Sequence, residues 1–343
     1  MHTYKLKYLT ASTLAALAIS STSVVAEPKL EFSGLVEAEF SSGKDHTTAK
    51  GSDIVLAKIE LGLDAQINNN VSAHLLMLHE DDDTDPPVFE EGYINITNNA
   101  LFLKAGRIIV PFGNFTSHMI TDPLTLEIAE AHESALEVGY ENGSLRASVY
   151  AFNGASDKNK VDSDVVDDFG FSLSYVMESS SMNLDVGFDY INNMAETDGL
   201  EGALIGANTP FVEDHTAGMA IHAIVNIDKL NVIFEYVTAA NNFNTLDLGF
   251  NGGKAKPSAS NIEGAYSMDV GGREMTFAIA RQTTSDIDGS ALPKSRIMLS
   301  VSTIVAEAVN LTVEYTDAND YKLADGGQGT SGSMLTAQLA VEF

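Results

Sequence analysis

The chain has 343 residues, a formal charge of −29, no cysteine and no tryptophan. The missing cysteines exclude a disulfide framework, thiolate metal sites and thiol catalysis, and the acidic excess excludes a nucleic-acid partner. A mean hydropathy of +0.01 fits neither an apolar helical bundle nor a disordered acidic chain.

Residues 1–26 begin with Lys5 and Lys7, continue with an apolar stretch around 14–19 and end in small residues at Val24 and Ala26. That is the layout of a secretory signal peptide cleaved after Ala26. The expected division is therefore a signal peptide at 1–26 and one domain at 27–343. No later stretch approaches the run of about 18–20 apolar residues that a membrane helix needs.

From residue 29 onward the sequence alternates. Sixteen segments, from 29–41 to 332–343, carry apolar residues at every second position. Most are close to the roughly 9–11 residues that a tilted strand needs to cross a bilayer. The second segment places Val55, Ala57, Ile59, Leu61, Leu63 and Ala65 on one face. Alternation alone also suits a soluble sandwich, but the connections decide between the two. They alternate short ("NN" at 98–99, "ENG" at 141–143, "GG" at 271–272) and long (108–132, 193–213, 240–258). Short turns on one rim and long loops on the other mark an up-and-down barrel of the bacterial outer membrane. The expected fold is all-β: a 16-stranded antiparallel transmembrane β-barrel, porin-like, with its third extracellular loop folded inward. The last segment ends on Phe343, which is expected to complete the seam with the first strand and to stand at the membrane boundary.

The same alternation assigns the lumen. Acids expected there include Glu31, Glu37, Glu39, Glu60, Asp64, Glu137, Asp185, Asp189, Glu235, Glu263, Asp269 and Glu314. The bases are fewer: Lys58, Lys104, Arg146 and Arg296. Charge inside such a wall sets ion preference, so the channel is expected to favour cations. The third long connection, "RIIVPFGNFTSHMITDPLTLEIAEAHES", is the longest by this reading and holds apolar residues that a solvated loop would not need. Asp122 is a candidate N-cap, Pro123 suits a first helical position, and Glu127 and Glu130 share the face of the helix that follows. The constriction is assigned to Arg107, Phe112, Phe115, Asp122, Glu127 and Glu130, with Arg107 approaching the acids from the wall.

Other chemistries find less support. The oxygens of "HEDDDTDPP" (79–87) suit a hard cation but lack the spacing of an EF-hand loop, so a solvated loop tip is expected. The eight histidines show no zinc-type spacing. His118 and His132 flank the inward loop, with Ser117 beside the first, but no G-x-S-x-G turn is present. No catalytic residue, metal or cofactor is assigned, and the chain is not read as an enzyme.

The stretch "AGRIIVPFGNFTSHMITDPLTLEIAEAHESALEVGY" (105–140) resembles the LbtU-type siderophore porins. The resemblance rests on Gly106-Arg107, Pro111-Phe112-Gly113, Asp122-Pro123-Leu124-Thr125 and the acidic run to Glu133. It implies import of a ferric siderophore without energy coupling. The alternatives are a general small-solute, cation-preferring porin and, from another class, a structural or adhesin-type barrel. The partners expected are outer-membrane lipid and lipopolysaccharide, the barrel-assembly machinery and a small solute. The oligomeric state is left open: barrels of this size are often homo-trimers, yet no outward polar stripe marks a seam.

Overall fold

The computed structural model describes residues 28–46, 50–81, 86–158, 165–205, 211–287 and 292–343. The signal segment expected at 1–26 and residues 82–85 of the acidic tip lie outside the described residues.

The strands are β1 (Lys29–Lys44), β2 (Lys50–Asn68), β3 (Val71–His79), β4 (Val88–Asn98), β5 (Leu101–Ile109), β6 (His132–Glu141), β7 (Leu145–Phe152), β8 (Asp157–Lys158), β9 (Asp168–Glu178) and β10 (Asn183–Ile191). They continue with β11 (Phe211–Val212), β12 (Gly218–Ile227), β13 (Leu230–Ala239), β14 (Gly249–Phe250), β15 (Gly253–Lys254), β16 (Ser258–Val270), β17 (Arg273–Ser285), β18 (Ser295–Ala306), β19 (Val309–Asn319) and β20 (Ser331–Glu342). Four of these, β8, β11, β14 and β15, are two-residue pieces within loops. The other sixteen form one closed barrel in which each strand pairs with its sequence neighbours and β20 returns to β1. Two short helices, α1 (Leu126–Ala129) and α2 (Asp198–Ile205), lie in the third and fifth long connections. No helix among the described residues is long and apolar enough to cross a membrane.

Alternation builds the wall. In β13, Ile233, Glu235 and Val237 are buried toward the lumen while Val232 and Tyr236 stand exposed on the outside. In β16, Ala259, Asn261, Glu263 and Ala265 point inward, and Ile262 and Tyr266 outward. The outer belt of Phe32, Ile54, Leu61, Ile94, Val149, Leu173, Ile279 and Leu299 is exposed apolar surface. A closed sheet satisfies its backbone groups from strand to strand, so such a belt can face lipid without a free edge. The seam obeys the same rule. Beyond the β1–β20 ladder, the Gly34 N–H donates to Phe343 O at 2.8 Å and the Phe343 N–H donates to Gly34 O at 3.0 Å.

Three local features differ from the sequence reading. A register shift at Ala57 pairs Glu37 with Lys58 but Ala38 with Leu56. The parity of β2 therefore flips at the bulge, and Ile54, not Val55, takes the outward position beside Phe40. The helix of the third connection is a single turn, capped by Thr125 without a side-chain bond to its own N–H groups. Asp122 and Pro123 precede it in a turn in which Pro123 O accepts from Leu126 N at 2.9 Å. Finally, the fifth connection (192–217) is longer than the third (110–131).

On the long-loop side the barrel is filled. Phe112, Leu124 and Ile128 of the third connection pack with Met194, Leu200 and Leu204 of the fifth and Phe243 of the sixth. Wall residues Tyr150, Phe152, Ile191, Val237 and Ala259 close the cluster from outside. Burying such side chains removes apolar area from water at about 25 cal/mol per Å², which is why these loops fold inward.

Candidate functional site

The third connection crosses the lumen, and carboxylates of the opposite wall hold it there. Its neck closes where the Val110 N–H donates to Ala131 O at 3.0 Å. From there the chain passes four acids in turn. Asp189 of β10 accepts the Gly113 N–H at 3.1 Å. Glu235 of β13 accepts the Asn114 N–H at 2.6 Å, the Phe115 N–H at 3.3 Å and the Thr125 hydroxyl at 2.5 Å. Glu263 of β16 accepts the Ser117 hydroxyl at 2.8 Å and the His118 N–H at 2.7 Å. Glu314 of β19 accepts the Ile120 N–H at 2.6 Å, the Thr121 N–H at 3.3 Å and the Thr121 hydroxyl at 2.7 Å. The path then turns back. Gln282 of β17 accepts the Leu124 N–H at 3.1 Å and the Arg296 Nε–H at 2.7 Å, and Arg296 also donates to Asp122 O.

These four acids are no more than 3% exposed. A buried carboxylate has to be hydrogen-bonded to stay ionised, and loop N–H groups drawn away from water need acceptors. Each supplies what the other lacks. The grip also holds an unfavourable backbone: Phe115 is left-handed, with φ 58°, and Gly113 has φ 102°. A Cβ on Gly113 would overlap the Phe115 ring. The conformation at Phe115 costs on the order of 1–2 kcal/mol, which the charged hydrogen bonds at Glu235 offset.

Of the expected constriction residues in the third connection, Asp122 is the acid on the exposed surface of the loop. It is exposed at the loop's far turn, and its charge acts on Lys58 of β2 and on Glu37 and Glu39 of β1. Lys58 is also paired with Glu80 at 3.4 Å and Glu60 at 3.7 Å, and Gln338 of β20 donates to Glu39 at 2.8 Å. Asp122 on the loop and Glu37, Glu39, Lys58 and Glu60 on the wall thus form one electrostatically coupled group.

The other constriction assignments change. Arg107 sits on the outward parity of β5, opposite Ser134, and donates from Nε to Glu90 O at 3.2 Å; its neighbour Ile108 is the inward residue. Alternation places it there, so it does not approach Glu127 and Glu130 from inside. Phe112 is buried in the loop core and Phe115 packs against that core. Glu130 lies on the side facing the fifth connection, where the Asp198 N–H donates to Glu130 O at 2.8 Å, while the charge of Glu127 acts on Arg296 of β18. Burial there raises the Glu130 carboxyl to about 7, against the opposing effect of His132.

The other expected pore-lining residues take different places. Asp189, Glu235 and Arg296 hold the loop. Asp185 points inward and pairs with His222 at 3.4 Å. Lys104 and Arg146 line a cavity of about 470 Å³ near the short-turn rim, tied together by the buried Glu137 at 3.9 and 2.9 Å. Lys104 lies over the Tyr93 ring at 4.6 Å, and Arg146 over Phe102 at 4.4 Å. Ser117 and His118 do not form a nucleophile–base pair: the serine bonds Glu263 and the imidazole meets Asn231 at 3.0 Å.

No protein-family model matches the chain. A UPF0422 protein of Coxiella burnetii is 25% identical over 309 residues, which cover 86% of this chain and 65% of that protein. A UPF0422 protein of Legionella pneumophila strain Paris is 26% identical, covering 92% of this chain and 67% of its own length. The chain therefore spans about two thirds of the curated relatives it matches. Among solved structures, the anion-selective porin from Comamonas acidovorans superposes with a TM-score of 0.63 at 14% identity, covering 92% of this chain and all of that one. The outer membrane channel DcaP of Acinetobacter baumannii gives 0.63 at 12%, over 92% and 97%. The trimer form of OmpT from Vibrio cholerae gives 0.56 at 11%, over 92% and 99%. The fold is that of the outer-membrane porins.

Proposed function

We propose that the chain is a passive diffusion channel of the Gram-negative outer membrane, and that its finer specificity is import of a ferric siderophore without energy coupling. The observation that carries the channel reading is the loop held across the lumen by Asp189, Glu235, Glu263 and Glu314, with Asp122 exposed at its far turn and its charge acting on Lys58 of the wall. Asp122 and Lys58 carry opposite charge, and a field between loop and wall orients a polar solute. The porin fold supports a channel over an enzyme. The siderophore reading rests on the resemblance of residues 105–140 to the LbtU-type porins.

A general, cation-preferring porin is the second reading, favoured by the acids around the opening. The exposed outer belt meets lipid and lipopolysaccharide, insertion uses the barrel-assembly machinery, and a homo-trimer is proposed by analogy with the trimer form of OmpT.

Liposome swelling with a ferric siderophore, free sugar and phosphate tests the proposal. Faster entry of the siderophore complex than of sugars of equal size supports the specific channel. Entry ordered by size alone supports the general porin. No swelling with any solute overturns both and leaves a structural barrel.

A further inference from the structure

Where the returning end of the third connection meets the fifth, metal-ligand side chains converge from distant parts of the chain. Glu130 follows α1, His132 opens β6 and Asp198 opens α2. One ligand atom from each lies within 4.8 Å of the others. His132 Nδ1 stands 2.7 Å from Asp198 Oδ2, and its Nε2 stands 2.6 Å from Glu90 Oε1.

The backbone fixes this geometry. The Asp198 N–H donates to Glu130 O at 2.8 Å, and the Thr197 hydroxyl donates to Ile128 O at 3.0 Å. The approach is so close that a Cβ on Gly199 would lie 1.8 Å from Glu127 O; only glycine permits it. The ligand-bearing residues are thus held by main-chain contacts before any ion arrives. The His132 side chain is 7% exposed and that of Asp198 45%, so the set is enclosed on one side and open to solvent on the other.

We propose that Glu130, His132 and Asp198 form a binding site for a first-row divalent metal ion of the Zn²⁺ type, with Glu90 orienting the imidazole. The ion replaces the proton held between Nδ1 and Asp198: the 2.7 Å contact opens, the Asp198 carboxylate turns onto the ion, and the Nδ1 proton is released to solvent. The remaining Nε2–H donates to Glu90, the usual outer partner of a metal-bound histidine. Three protein ligands leave a fourth position for water. An imidazole in the set favours Zn²⁺ over Ca²⁺, which takes oxygen ligands. Bound there, the ion joins the third connection to the fifth. This inference does not depend on the transported solute.

The full chain, folded in detergent micelles and freed of metal, is titrated with Zn²⁺ and separately with Ca²⁺ by calorimetry. The expected result is one Zn²⁺ site per chain, at least about tenfold weaker in His132→Gln and in Asp198→Asn, and unchanged in Asp325→Asn, an acid elsewhere on the loops. Equal Zn²⁺ affinity in His132→Gln, or Ca²⁺ binding as tight as Zn²⁺, overturns the proposal. Should a variant fail to fold, X-ray absorption of the unaltered protein with one equivalent of Zn²⁺ decides. One imidazole among oxygen ligands supports the site; oxygens alone, or several imidazoles, overturn it.

Discussion

The two sides of the lumen use the same residue types for different work. On the wall from β10 to β19, Asp189, Glu235, Glu263 and Glu314 are buried and hydrogen-bonded to the crossing loop. On β1 and β2, Glu37, Glu39 and Glu60 remain partly exposed, as does Lys58 among them. Inward parity is common to both sets. What separates them is whether a loop backbone arrives in front of them. A tally of lumenal charge is therefore a poor guide to selectivity, because carboxylates that accept loop N–H groups no longer face the permeating ion.

The largest test removes the element that makes the two sides differ. Replacing residues 114–122 with a short Gly-Ser linker should raise single-channel conductance about two- to threefold and loosen the solute cut-off, with heat-modifiable migration unchanged. The barrel ladder does not depend on this segment. Unchanged conductance in a folded barrel would place the loop outside the conduction path.

A narrower cut acts on one grip. Glu235→Ala removes the acceptor of two loop N–H groups and one hydroxyl. Charged hydrogen bonds contribute about 1.5–3 kcal/mol each, so the loop should fluctuate and the planar-bilayer record should show frequent transitions between conductance levels. A quiet trace identical to that of the unaltered protein would show that the apolar core alone fixes the loop.

On the open side, Lys58→Glu leaves the loop in place and changes the gap. It should raise the K⁺ over Cl⁻ preference by about twofold, read as a shift in reversal potential in a salt gradient. The complementary Glu235→Gln should shift it less. If the buried acid matters as much as the exposed lysine, the division between the two walls is wrong.

The smallest effect is expected at the seam beside the open side. Deleting Phe343 removes the two backbone bonds to Gly34, about 1–2 kcal/mol together. The fraction of folded barrel on semi-native gels should fall, with conductance of the folded fraction unchanged. An undiminished folded fraction would count against the seam's role.

The fold was legible because its signals are periodic. Alternation along β12, β13 and β16 fixes inside and outside, and short turns against long connections fix the up-and-down order. The bulge at Ala57 escaped, since one unpaired alanine leaves the character of β2 unchanged while reversing its parity. Within the site, inward acids such as Glu235 follow from parity, but their partners do not: Asn114 and Glu235 are 121 residues apart. Arg107 was misplaced because its charge and its neighbours in the loop motif drew it inward against the parity of its own strand. Glu90 and Asp198 gave no local signal, and only the meeting of two connections brings them to His132.

The loop is held mainly through its main chain. The acceptors at Asp189, Glu235, Glu263 and Glu314 take amide hydrogens, with a few hydroxyls added. An amide N–H is present whatever side chain the residue carries, proline excepted. Mutational drift in the loop's exposed side chains, such as those of Thr116 and Asp122, can therefore retune the gap for a new cargo without loosening the anchorage. Drift at the wall carboxylates has no such freedom. Among homologous channels, the loop should diversify while the carboxylates that hold it stay in place.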